Sequence, residues 1–198
     1  MTGMSRQDRD LWASARTLAD LGDLTARWLE GRIASQPGYD GPCDVEDPAL
    51  VPLLARLNRA GFVTTGSQIG EAGPGYEQRA AVDGFASAEL ARRLYNTCWD
   101  AGLFPVAYSP ERLPRWRYGY RQAVPVTRVN GRDVTRFGVN LPRRHLRDGW
   151  IGYGLCSRQA VDALCSAWQV TVIDPVWGRA GSLWPVLASA VTAAREPS

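Results

Sequence analysis

Gln122 to Val139 reads QAVPVTRVNGRDVTRFGV, and this stretch decides the fold class. Asn130-Gly131 sits between two runs rich in β-branched residues. A two-residue type I′ turn needs positive φ at both central positions, which Asn and Gly tolerate best, so the pattern predicts a hairpin. The implied register pairs Val129 with Arg132, Arg128 with Asp133, Val126 with Thr135 and Val124 with Phe137. Alternation then places Val124, Val126, Phe137 and Val139 on one buried face. Arg128 and Asp133 meet across the strands as opposite charges. Arg132 and Arg136 are left pointing to solvent or to a ligand.

Working outward, the C-terminal side reads as strand, helix, strand. Ile151 to Leu155 is the first strand. Ser157 caps a helix carrying Ala160, Val161, Leu164, Cys165 and Trp168 on one stripe. Val170 to Ile173 is the second strand, ended by Asp174-Pro175, and Leu183 to Ala194 is a closing helix. Such a compact run implies a βαβ unit with parallel strands. Asp174 and Arg179 are placed to pair and shape the turn after the second strand.

On the N-terminal side, residues 9–33 read as helix interrupted at Gly22, with Asp23 capping its second half. Leu50, Leu53, Leu54 and Leu57 form a further helical stripe stopped by Gly61. Phe62 to Thr65 is a short strand running into a glycine-rich loop, Gly66 to Gly75, and Arg79 to Phe85 is another strand. Ser87 caps a helix with Leu90, Leu94, Tyr95 and Cys98, and Leu103 to Tyr108 is an edge strand because it contains Pro105. The expected architecture is α+β. It comprises one domain over 1–198, a mixed β-sheet with the hairpin at 122–139 and the C-terminal βαβ, flanking helices, and frayed termini at 1–8 and 195–198.

The chain has 198 residues, 45% hydrophobic and 22% charged, enough to bury a core without disulfides. Four cysteines form no Cys-x-x-Cys pair, and His145 is the one histidine. A Cys/His zinc site is therefore poorly supplied, no metal site is expected, and the thiols read as reduced in a cytoplasmic protein. No apolar run is long enough to span a bilayer as a helix, so no membrane partner is expected. All 23 basic residues are arginine. Residues 1–100 hold 10 Arg and 14 acids, while residues 101–198 hold 13 Arg and 6 acids, so positive charge gathers in the second half.

That charge suggests the first functional reading. Arg115, Trp116, Arg117, Tyr118 and Arg121, with Arg132 and Arg136, combine guanidiniums that satisfy phosphates with rings that stack on bases. The partner implied is nucleic acid, a nucleotide or another phosphate-bearing small molecule. The alternative is a small enzyme with its site at the glycine-rich segment 64–75. There Thr65, Ser67 and Gln68 would bind substrate and Arg79 would pair with its charge. Neither a Gly-Lys-Ser/Thr phosphate loop nor a Gly-x-Ser-x-Gly elbow is present. No catalytic residue and no cofactor is assigned by any motif. Cys156 beside a helix N-terminus, with His145 eleven residues before it, is the one nucleophile pair the chain could supply. A third reading, a protein-partner adaptor, requires a large exposed apolar patch.

Leu18-Ala-Asp-Leu-Gly, Trp28-Leu-Glu-Gly, Thr64-Thr-Gly-Ser-Gln, Gln78-Arg-Ala-Ala-Val-Asp-Gly-Phe and Asp174-Pro-Val-Trp-Gly-Arg resemble an uncharacterised actinobacterial family, a domain of unknown function. The resemblance covers most of the chain. It implies a source and a single-domain architecture, and it carries over no activity and no functional residue.

Overall fold

In the computed structural model, which describes residues 4–39, 41–44, 48–112, 123–151 and 155–192, the hairpin forms where the sequence places it. Asn130 and Gly131 take φ of 50° and 74°. Strand β6 (Val124–Val129) pairs with β7 (Arg132–Phe137), and Arg128 donates to Asp133 at 2.9 Å. The register departs from a plain ladder in the middle. Thr127, not Val126, lies opposite Thr135, because two irregularities offset each other there. Val126 is thereby free to turn fully inward, against Ala81 and Ile173.

Among the described residues the strands form two sheets of four. One runs in the order β1 (Val63–Gln68), β4 (Ala81–Ala86), β8 (Trp168–Ile173), β5 (Phe104–Tyr108). The other runs β2 (Ala72–Gly73), β3 (Tyr76–Gln78), β6, β7. The α+β class holds, but the mixed sheet and the C-terminal βαβ do not. Every strand pairing among the described residues is antiparallel, and 152–154 of the strand expected at 151–155 lie outside them. Residues Arg143–Ile151 are helix α5, so Ile151 ends a helix where a strand was expected to begin. Leu146 and Trp150, four apart, give that segment an inward stripe, and Arg144 pairs with Asp148 on its outer side. Val170 and Val172 then reach the core by β8 inserting between β4 and β5.

Other expectations shift for equally local reasons. The first helical stretch is two helices, α1 (Arg6–Ser14) and α2 (Leu18–Leu29), separated by the Thr17–Asp20 capping box. Gly22 lies inside α2 and does not break it. A Cβ there would come within 2.4 Å of the Asn58 carbonyl oxygen, so glycine lets α2 lie close against α3 (Val51–Arg59). Ser5 caps α1, its hydroxyl accepting from the Asp8 N–H at 3.0 Å, and of the termini expected to fray, 1–3 and 195–198 lie outside the described residues. The segment expected to be a glycine-rich loop, Gly66 to Gly75, is half strand: it holds the end of β1 and all of β2, and β3 follows it. Trp168 opens β8 and does not extend the stripe of α6 (Arg158–Ser166).

The first sheet separates two cores. Val82, Ala86, Val170 and Val172 face α3, α4 (Ala88–Asp100) and α7 (Leu183–Thr192). Val63 and Phe85 face α1, α2 and α6. On that second side Ala81, Asp83 and Phe85 alternate along β4. Ala81 packs under the hairpin, Phe85 packs under the helices, and Asp83 falls in the gap between. No helix among the described residues is long and apolar enough to cross a membrane.

Candidate ligand site

Two cavities lie on either side of one residue, Thr65. Along β1 and β4, Thr64 pairs with Gly84 and Gly66 with Asp83, which leaves Thr65 as the extra residue of a bulge. A bulge re-aims its side chain, and the exposed Thr65 lines both cavities.

The first cavity is a cleft of about 210 Å³ between α2, the segment after it, and β1. Trp28 and Tyr39 form one wall, with ring centroids 5.7 Å apart at 68°. Trp28 is fixed by donating its indole N–H to the Gly41 carbonyl at 2.9 Å. Thr64, Thr65 and Ser67 supply hydroxyls, and among the described residues Asp44 is the one charged residue lining the cleft. Cys43 also lines it, its thiol raised to about 11 by burial and by Asp44.

The cleft's β1 edge is held by a fully buried amide. Asn58 Oδ1 accepts from the Thr64 N–H at 3.0 Å, and Asn58 Nδ2 donates to Thr64 Oγ1 at 2.7 Å and to the Leu54 carbonyl at 2.9 Å. Asn58→Ala leaves the buried Thr64 N–H without its acceptor, and we expect a loss of about 3 kcal/mol in urea denaturation. A loss below about 1 kcal/mol would mean that solvent reaches Thr64.

The structure brings Thr65, Ser67 and Gln68 together at this cleft but gives Gln68 a different task. Its Nε2 donates to the carbonyls of Arg79 and Val126, both at 2.9 Å, and its Oε1 accepts from Thr127. Gln68 therefore ties the two sheets together. Arg79 is not among the cleft's lining residues. Its guanidinium lies 4.2 Å over the Trp177 ring, donates to the Pro125 carbonyl, and has its pKa lowered by burial and by Arg128. Arg128 lies 4.4 Å over the same Trp177 ring.

Of the arginine–aromatic residues, Arg115, Trp116, Arg117, Tyr118 and Arg121 lie outside the described residues. Arg132 is exposed beside the hairpin turn. Arg136 donates to Asp133 at 2.9 Å and to the Ala123 carbonyl. Asp174 and Arg179 pair as the sequence indicates, through two bonds of 2.7 Å. Cys156 is buried and its thiol is pushed up to about 12, the opposite of what a nucleophile needs.

The second cavity, about 190 Å³, is one that sequence reasoning missed. Asp83 sits in its wall, and burial raises this carboxyl from 3.8 to about 6 even though Thr171 and Gly138 donate to it. Thr171 Oγ1 and the Gly138 N–H, the latter at 3.3 Å, both donate to Asp83 Oδ1. Tyr108 stands nearby, its phenol raised by burial and by the Asp83 charge, and donates to the Gly138 carbonyl. Gln169 is locked by two bonds to the backbone of Leu141, at 2.8 and 2.7 Å. Phe85, Val139 and Leu141 complete apolar walls. The available signal was Asp83 itself, a charge inside the apolar run Ala80 to Ala86.

A family model described as a domain of unknown function, DUF6919, matches residues 7–194. Methylenetetrahydrofolate reductase 1 of Schizosaccharomyces pombe is 37% identical to this chain over 57 residues. That match takes in 29% of the chain and 10% of the reductase, so the chain spans about a tenth of its relative's length.

Proposed function

We propose, for a chain that belongs to the DUF6919 family of domains of unknown function, that it binds a small organic molecule in the cleft between α2 and β1. The observation that carries this reading is the pairing of a fixed aromatic wall, Trp28 and Tyr39, with the hydroxyls of Thr64, Thr65 and Ser67 across one cleft. Such a site takes a flat ring on its aromatic side and hydrogen-bonding groups on the other. The volume suits a single ring with one polar substituent. With Asp44 as the one charged lining residue among those described, the cleft favours a neutral or cationic ligand over an anion. The shared tenth of the reductase is too small a part to bring that enzyme's reaction to this chain. The unpaired cysteines support a reducing, cytoplasmic setting.

The test is an NMR titration with benzamide and benzoate, which share a ring and differ in charge. Benzamide is expected to shift the amides of Thr65 and Ser67 with a Kd of about a millimolar, as befits nine heavy atoms. Benzoate should shift them less, and Tyr39→Ala should weaken benzamide. Equal response to both probes, or none at the cleft, removes this reading.

An anionic partner, nucleic acid or a nucleotide, is the second reading. What favours it is the stack of Arg79 and Arg128 on Trp177, with Arg132 and Arg136 on the adjoining hairpin. It requires labelled single-stranded DNA to bind with an affinity that falls steeply with salt. Absence of binding at low salt eliminates it.

A further inference from the structure

We propose that the Asp83 cavity is a site for the basic nitrogen of a small organic cation, an amine or an amidine. Among the described residues Asp83 is the only charged one that lines it, and no arginine forms an ion pair with Asp83. This chain has 23 arginines and places one of them, Arg179, on the buried carboxylate Asp174 just past the end of β8. Among the described residues, leaving Asp83 without a countercharge is therefore a local property of the site.

The hydrogen bonds that Asp83 accepts, from Thr171 and Gly138, both fall on Oδ1, which fixes the carboxylate's orientation and leaves the lone pairs of Oδ2 for a donor. A protonated nitrogen is the donor that also neutralises the charge. The carbon part of the cation has Phe85, Val139 and Leu141 to pack against, and the Gln169 amide, bound on both ends by Leu141, cannot swing in to replace it. Tyr108, reaching in from β5, is the other titratable group at Asp83 among the described residues, and as a neutral phenol it adds no competing charge. The two hydrogen bonds alone would be served as well by asparagine, so the charge itself has a use beyond folding. The site is independent of the first cleft, although Thr65 borders both.

The experiment uses benzylamine and benzyl alcohol, equal in size and different in charge, titrated into the 15N-labelled full chain at pH 8. Benzylamine is expected to shift the amides of Gly138 and Thr171 with a Kd of about a millimolar, and benzyl alcohol to leave them in place. Asp83→Asn, which keeps the Oδ1 acceptor and so the fold, should weaken benzylamine by roughly tenfold or more. Asp44→Asn should leave those shifts unchanged, which separates this site from the first cleft. Equal response to both probes, unchanged binding in Asp83→Asn, or loss of the shifts in Asp44→Asn would overturn the assignment. Failure of the benzamide titration leaves it standing.

Discussion

Asp83→Asn is expected to make the folded chain more stable at pH 8, by about 2 kcal/mol. The wild-type carboxyl titrates near 6 when folded and near 3.8 when unfolded, with desolvation as the cause. Above pH 6 both states are ionised, and the folded state carries the whole cost of a shielded charge. As pH falls from 6 to 4 the folded chain takes up a proton that the unfolded chain does not, so wild-type stability from this group rises. Below pH 4 both are protonated and the difference is gone. Asparagine keeps the oxygen that accepts from Thr171 and Gly138 and removes the charge, so its advantage should be full at pH 8 and vanish near pH 4. Urea midpoints at the two pH values measure this. A variant no more stable than wild type at pH 8 would show that the carboxylate is better solvated than its surroundings imply. A gain would mark Asp83 as a residue kept at the expense of stability, the pattern expected of a binding group.

Gly84→Ala is expected to have the larger effect, with the opposite sign. A Cβ at Gly84 would lie 2.5 Å from the Val63 carbonyl oxygen, 2.8 Å from the Phe62 ring and 3.1 Å from Thr64 Cα. Two of those three atoms are backbone, and they belong to the strand that pairs with Gly84. Overpacking that side chains can absorb costs about 1–3 kcal/mol. Here the two strands must separate, so we expect at least about 3 kcal/mol. Because Gly84 lies between the bulge and Asp83, the shifts produced by benzamide and benzylamine should both weaken. Urea denaturation reads the first effect. A loss under about 1 kcal/mol would mean that β1 and β4 part easily there.

The sequence was most legible where local chemistry decides the backbone. Asn130-Gly131 placed the hairpin, and Ser87 and Ser157 placed the starts of α4 and α6 by their caps. It was least legible where tertiary contacts decide. Nothing in the residues near Val170 says that β8 inserts between two antiparallel neighbours, since a central strand is apolar in either arrangement. Gly22 reads as a break until Asn58 is seen against it. For the site, Thr65 and Ser67 could be named because hydroxyls stand out beside glycines. Trp28 and Tyr39 could not, because a tryptophan on a helix and a tyrosine in a loop acquire a shared purpose only once the chain folds back. Asp83 stands out in the sequence as a charge within an apolar strand, but its use depends on the cavity that the second side of the sheet forms around it.

Thr65 has a further implication for how relatives of this chain diverge. A wall common to two chambers cannot be reshaped for one alone. A bulkier residue at this position narrows both, and a smaller one merges them. Changes of ligand preference that leave the neighbouring chamber intact must therefore arise at positions that belong to one side only, such as Tyr39 and Ser67 or Gln169 and Leu141. Position 65 should drift only in step with both sets.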